Sequence, residues 1–182
     1  MSDPLFPELA DPPDDGAQGA GGRPAGPRRG FVIRTDGAAR GNPGPASLGA
    51  ALFDLDRPDA RDDRAEPDAS ISDYLGVQTN NVAEYTGVVR ALDLARDLGA
   101  LEVHLLLDSK LIVEQLAGHW RVKDPKLIPL WAEARSALGG FDRWSAAHVP
   151  RALNSVADRL ANDAIDRAQA GGPDSVVRRP GG

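Results

Sequence analysis

The hydrophobic pattern changes period part-way along this chain, and that change limits the folds open to it. Before residue 80 the apolar residues fall in short β-type runs: Phe31-Val-Ile-Arg-Thr35, Ser47 to Asp54, and Ser70 to Gly76. Consecutive runs of this kind, joined by loops, predict an antiparallel meander. From Asn80 onward, helix and strand patterns alternate. Asn80 to Leu98 carries Val82, Tyr85, Val88, Val89, Leu92 and Ala95 at helical spacing, and Gly99 stops it. Leu101 to Leu107 is largely apolar, as expected of a central strand. A short helix with Leu111, Ile112 and Leu116 follows, then a turn at Lys123-Asp124-Pro125 and a helix with Leu127, Leu130, Trp131 and Leu138. Phe141 to Val149 is the fifth strand, and Asn154 to Ala168 the last helix, with Val156, Leu160, Ala164 and Ile165. The order βββαβααβα predicts an α/β fold. Its mixed five-stranded sheet has three antiparallel strands, then parallel ones, with helices on both faces.

The ends of the chain differ from this core. Residues 1–30 are rich in Pro, Gly, Asp and Ala, with only Leu5, Phe6 and Leu9 as apolar bulk, which predicts a disordered tail. Residues 170–182, with Gly171-Gly172-Pro173 and a basic end at Arg178-Arg179, read as a second flexible tail. One domain over residues 31–169 remains. Among 182 residues there is no cysteine, which excludes disulfides, thiolate zinc sites and cysteine nucleophiles. No apolar run reaches the length of a membrane span, and no basic region followed by an apolar stretch opens the chain, so a cytoplasmic, monomeric protein is expected. The formal net charge of −6 sets nucleic-acid binding a condition: any phosphate-gripping face must be locally basic or neutralised by cations.

Four acids stand where chemistry can use them. Asp36 and Asp108 each close a β-type run, and in an open α/β sheet such positions border the ligand crevice. Side by side they would repel, and a divalent cation would relieve that repulsion. The plainer reading is that each caps the turn or helix that follows. Glu84 and Asp158 fall near the starts of two helices, where an acid also gains from the helix dipole. As a set, the four offer hard oxygen ligands for Mg²⁺ or Mn²⁺, and two such ions suit phosphoryl transfer.

The chain resembles type 1 ribonuclease H from about Phe31 to Asn162. The motifs that carry the resemblance are Thr35-Asp36-Gly37-Ala38-Ala39-Arg40-Gly41-Asn42-Pro43-Gly44 and Thr79-Asn80-Asn81-Val82-Ala83-Glu84-Tyr85. They continue with Leu107-Asp108-Ser109-Lys110, His148-Val149-Pro150-Arg151, and Asn154-Ser155-Val156-Ala157-Asp158-Arg159-Leu160-Ala161-Asn162. The resemblance implies a ribonuclease H-like fold and an endonuclease that cuts the RNA strand of RNA–DNA hybrids, leaving 5′-phosphate and 3′-hydroxyl ends. It makes Asp36, Glu84, Asp108 and Asp158 the metal-binding catalytic carboxylates, holding two Mg²⁺ ions with Mn²⁺ as a substitute. Asn42, Asn80 and Asn81 match positions that contact the RNA strand, where an amide can both donate to and accept from a 2′-hydroxyl. Turn chemistry at Asn42-Pro43-Gly44 and helix capping by Asn80 would account for the same residues. Thr79 matches a residue that helps hold a DNA-strand phosphate.

Several positions depart from the family. His148 stands where members carry a loop histidine for proton transfer or product release. Its neighbours Ala146-Ala147-His148-Val149-Pro150 read as a strand, so a buried strand-end histidine is the slightly better account. Arg151 is an alternative polar group beside the leaving phosphate. His104 reads as structural, and His119 as a substrate contact at most. The basic protrusion of many members is reduced to the link Gly118 to Lys126, which places the chain in the branch lacking it. Val77 replaces a basic residue that some members use beside Thr79. Asp54 to Asp68 carries seven carboxylates against three arginines and should face away from any bound nucleic acid.

Overall fold

The computed structural model describes residues 30–181. The meander is formed by β1 (Gly30–Ala39), β2 (Gly44–Asp54) and β3 (Ala69–Gln78), all antiparallel neighbours. Then come α1 (Asn80–Asp97), β4 (Glu102–Leu107), α2 (Lys110–Leu116), α3 (Ile128–Gly139), β5 (Arg143–His148) and α4 (Ser155–Gln169). β4 lies parallel to β1, with Thr35 opposite Leu107, and β5 lies parallel to β4.

β1 is therefore interior and is buried on both faces. Its residues alternate between two cores, as the two-residue period of a strand demands. Phe31 and Ile33 join Leu48, Leu52, Leu105, Tyr85, Leu92, Ile112 and Leu138 under α1, α2 and α3. Val32 points the other way and meets Ala51, Phe53, Leu106 and Val156 under α4. The expected two-sided cover of the sheet is what forms.

The sheet has six strands where five were expected. The sixth, β6 (Ser175–Arg178), lies in the segment predicted to be a flexible tail and pairs antiparallel with β3, giving the order β5-β4-β1-β2-β3-β6. Without it, β3 would present a row of unpaired backbone groups along an edge. Polar contacts hold β6 and its approach in place. Arg167 donates from Nε to the Pro173 carbonyl at 2.8 Å and from Nη2 to the Ser72 carbonyl at 2.6 Å. Ser175 Oγ donates to Asp73 Oδ1 at 2.5 Å, and Arg90 pairs with the other oxygen of Asp73 at 2.8 Å. The Gly-Gly-Pro composition of the approach hides a strand whose partner lies about a hundred residues earlier. The expected N-terminal tail lies outside the described residues, apart from Gly30, which opens β1.

The acidic segment between β2 and β3 leaves the sheet at Asp54, opposite Phe31 and thus at the far end of β1 from Asp36. It is a series of turns tied by Arg57 to Asp59 at 2.8 Å and to Asp68 at 3.1 Å, with Ala60 buried against the α4 side. Its charge is kept away from the C-terminal ends of β1 and β4. Among the described residues no helix is long and apolar enough to cross a membrane.

Candidate active site

Parallel pairing of β1 and β4 sets the floor of the site. Because Thr35 faces Leu107, the residues that follow, Asp36 and Asp108, emerge side by side. Asp36 does not end its strand, as the sequence suggested. β1 continues three residues to Ala39, pairing with β2, and only its pairing with β4 stops at Thr35. Nor do the aspartates serve as caps. Ser109, not Asp108, caps α2 by accepting from the Ile112 amide at 3.3 Å.

Two glycines bring the helices in. A Cβ on Gly37 would lie 2.3 Å from the Glu84 nitrogen, so only a bare backbone lets α1 pass this close to β1. On the other face, a Cβ on Gly49, directly opposite Asp36, would lie 2.1 Å from the Ala157 carbonyl oxygen of α4. Glu84 and Asp158 thereby approach Asp36 from opposite sides of the sheet. Glu84 sits beyond the first turn of α1, which is capped by Thr79 rather than by Asn80, so the helix dipole does not account for Glu84. Asp158 does lie in the first turn of α4.

Asp36, Glu84 and Asp108 each offer an oxygen, and these atoms all lie within 4.8 Å of one another. Asp36 is buried, and Glu84 and Asp108 half-buried. Burial pushes the Asp36 carboxyl up to about 8, helped by the Asp108 charge, a hydrogen bond with Asp158 and the Glu84 charge. Burial and then Asp108 push Glu84 up to about 7, against the lowering effect of a bond with Ser109 and of Arg151. A cluster of carboxylates that resist ionisation together is what a hard divalent cation relieves, and the all-oxygen donor set fits one. Asp158 stands beside this cluster, with its side chain 40% exposed and Arg151 Nη2 3.9 Å away.

The cluster lies in an open cleft of about 520 Å³. Asn80 and Asn81 line it from α1, Asn162 and Asp158 from α4, and Arg40 and Arg151 are its cations. Asn42 is not on the lining, but its Oδ1 accepts from the Asn80 amide at 3.2 Å, tying the β1–β2 turn to the start of α1. Thr79 serves as the α1 cap, outside that lining. His148 does end β5, but it is exposed rather than buried, with Nε2 3.2 Å from the Asp108 carbonyl oxygen. His104 is buried between Glu102 and Ser145, at 2.7 and 2.6 Å, and is structural as expected. His119 is exposed and pairs with Glu114 at 2.8 Å, away from the cleft lining. Sequence reasoning assigned no site role to Arg40, Asn162, Gly37 or Gly49. The glycines lie inside or beside motifs, but only packing shows what a side chain there would strike.

The sequence model of the family described as "Reverse transcriptase-like" matches residues 34–164, which contain all four acids. A ribonuclease HI of Halobacterium salinarum is 45% identical over 133 residues, 73% of this chain and 63% of that protein. Its crystal structure superposes with a TM-score of 0.68 at 43% identity, covering 75% of this chain and 97% of that one. The chain belongs to the ribonuclease H family. A bifunctional protein of Mycobacterium tuberculosis is 47% identical over 137 residues, 75% of this chain but 36% of that protein. The chain thus spans about a third of the mycobacterial relative. The solved N-terminal RNase H domain of that relative, fused to maltose binding protein, matches with a TM-score of 0.66 at 46% identity, over 73% of this chain and 96% of that one. A further ribonuclease H, LC11-RNase H1 solved in complex with an RNA/DNA hybrid, has a TM-score of 0.68 at 37% identity, covering 76% and 99% of the two chains. The ribonuclease H sheet and its flanking helices are therefore shared, while β6 lies beyond the end of the family match.

Proposed function

We propose that this chain is an endonuclease that hydrolyses the RNA strand of RNA–DNA hybrids, leaving 5′-phosphate and 3′-hydroxyl ends. One observation carries the reading: three carboxylates with oxygens within 4.8 Å of one another form the floor of a cleft whose wall presents Asn80 and Asn81. The solved complex of LC11-RNase H1 with hybrid supports the choice of substrate.

Asp36, Glu84, Asp108 and Asp158 are the groups that would hold two divalent cations, Mg²⁺ by preference and Mn²⁺ as a substitute. When bound, the cations supply activation of the attacking water and charge stabilisation at the leaving oxygen. In the reaction a water oxygen bonds to phosphorus, the bond from phosphorus to the 3′-oxygen breaks, and that oxygen leaves as a hydroxyl. The remaining work belongs to the chain. Asn42, Asn80 and Asn81 sit together at the start of α1, where their amides can pair with 2′-hydroxyls that DNA lacks. Thr79, which caps α1 next to them, is the residue we assign to a DNA-strand phosphate. Arg151 holds its guanidinium beside Asp158, and we assign it to the phosphate being cut. His148, exposed and with Nε2 against the Asp108 backbone carbonyl, is the group we assign to passing the proton to the leaving oxygen or to easing product release.

The test is cleavage of an end-labelled hybrid by wild type and Asp36→Asn, in Mg²⁺ and separately in Mn²⁺, with duplex DNA and duplex RNA as controls. Hybrid-only cutting that vanishes in the variant is the expected result. A folded protein that leaves hybrid intact in both metals would overturn the reading.

A further inference from the structure

We infer that Arg40 grips a non-bridging phosphate oxygen of the RNA strand next to the linkage being cut, and that Asp166 and Gln169 of α4 hold it in position to do so. The inference rests on the endonuclease reading and adds a specific contact to it.

Arg40 follows β1 directly and occupies the lip of the cleft that contains the carboxylates. The turn it begins reaches in two directions. Asn42 is joined to the start of α1 through the Asn80 amide, whereas Arg40 extends to α4, about one turn beyond Asn162, the last α4 residue on the cleft lining. There its Nη2 donates to Asp166 Oδ1 at 2.7 Å and its Nη1 to Gln169 Oε1 at 3.3 Å. The backbone beneath is held as well, since the Arg40 amide donates to the Pro45 carbonyl at 2.9 Å. A Cβ on Gly44 would come within 2.2 Å of the Arg40 carbonyl oxygen, so the turn closes tightly under this residue.

Stability gives little reason for an arginine here. The ion pair is exposed, with side chains 39% and 64% accessible, and exposed pairs contribute at most about 1 kcal/mol. Its geometry has another consequence. A guanidinium has five N–H donors, and the two acceptors on α4 occupy only two of them. The others stay free for an anion while the side chain remains anchored. The cleft needs such a group. Its floor is acidic, the whole chain has a net charge of −6, and Arg40 and Arg151 are the arginines on its lining. Arg151 stands by Asp158, whereas Arg40 is anchored eight residues further along α4, at Asp166. At about 1.5 Å per residue that separation is roughly 12 Å along the helix, too far for both arginines to hold one phosphate, so Arg40 serves a nearby linkage rather than the one being cut. A planar fork also suits two phosphate oxygens better than an ammonium does.

The experiment is steady-state cleavage of hybrid over a series of salt concentrations by wild type, Arg40→Ala, Arg40→Lys and Asp166→Asn, each checked for an unchanged melting temperature. A second set of hybrids carries a single neutral methylphosphonate at successive RNA linkages around the cut. Arg40→Ala should raise KM roughly tenfold, leave kcat within about twofold, and make the slope of log kcat/KM against log salt less negative by about 1. Arg40→Lys should recover part of the loss, and Asp166→Asn should raise KM by a smaller factor. At one linkage the methylphosphonate should weaken wild type as much as Arg40→Ala does, and should have no further effect on that variant. A fall in kcat alone, an unchanged salt slope, or additive losses at every linkage would overturn the inference. If wild type binds hybrid but does not cut it, the endonuclease reading fails, and the same comparisons made on binding constants still decide the role of Arg40.

Discussion

A Cβ on Gly37 would stand 2.3 Å from the backbone nitrogen of Glu84, so the absence of a side chain at one position sets the place of a carboxylate at another. Gly37→Ala should push α1 away from β1, at a cost of about 1–3 kcal/mol in stability. The larger effect should fall on divalent-cation affinity, because Glu84 would leave the cluster it forms with Asp36 and Asp108. Calorimetric titration with Mn²⁺ and thermal melting check the two effects separately. Gly49→Ala should act likewise on Asp158 from the other face, since the Ala157 carbonyl stands where its Cβ would go.

The raised carboxyls make cation-free stability depend on pH. With Asp36 at about 8 and Glu84 at about 7, the folded chain keeps protons that the unfolded chain releases near pH 4. Stability is therefore greatest below about pH 4 as far as this site is concerned, and falls as pH rises through the folded values. Melting temperature in chelator should drop between about pH 4 and pH 8, and Asp36→Asn should flatten that drop. Each kcal/mol of relieved repulsion should raise the melting temperature of the variant at high pH by roughly 2–4 °C. Added Mg²⁺ or Mn²⁺ should reverse the slope, because the cation binds the deprotonated acids.

The four acids should not be equal. Asp36 and Asp108 sit inside the cluster, whereas Asp158 stands beside it with a half-exposed side chain. Asp36→Asn and Asp108→Asn should each lower hybrid cleavage by more than about 100-fold, and Asp158→Asn by clearly less. Single-turnover rates at saturating metal measure this ordering, and an equal loss in all three variants would contradict it.

Asn154 joins the two halves of the site. It is fully buried, and its Nδ2 donates to the Thr35 carbonyl at 2.8 Å, just before Asp36, while the residues after it start α4. Asn154→Ala should cost about 1–3 kcal/mol by leaving that carbonyl unpaired. Asn154→Asp should cost more, because a carboxylate would face a carbonyl with no proton between them. Denaturant titration at neutral pH distinguishes the two.

Removing residues 172–182 should cost about 1–3 kcal/mol, by exposing the β3 edge and freeing Asp73 and Arg167 from their β6 contacts. Cleavage rate should stay within about twofold of the full chain, since β6 lies at the opposite edge of the sheet from β4 and β5. Paired melting and activity assays test both halves of this expectation.

Much of this is legible along the chain, because the signals involved are local. The change from strand runs to alternating helices and strands predicts the meander, the parallel half and two-sided cover of the sheet, as hydrophobic period reports which faces must leave water. The acids and asparagines can be singled out because motif spacing survives without coordinates. What the sequence leaves open depends on partners distant in the chain. That Asp36 and Asp108 are neighbours follows from the β1–β4 register, and that neither caps an element follows from Ser109 and from the continuation of β1 to Ala39. The composition of residues 170–182 points to a tail, yet the unpaired edge of β3 makes a strand of Ser175–Arg178. The strand-like neighbours of His148 point to burial, and the end of β5 leaves it exposed beside Asp108. Local chemistry chose the residues, and close packing at Gly37 and Gly49 decided which of them meet, because backbone approach is a property of two elements and is written in neither alone.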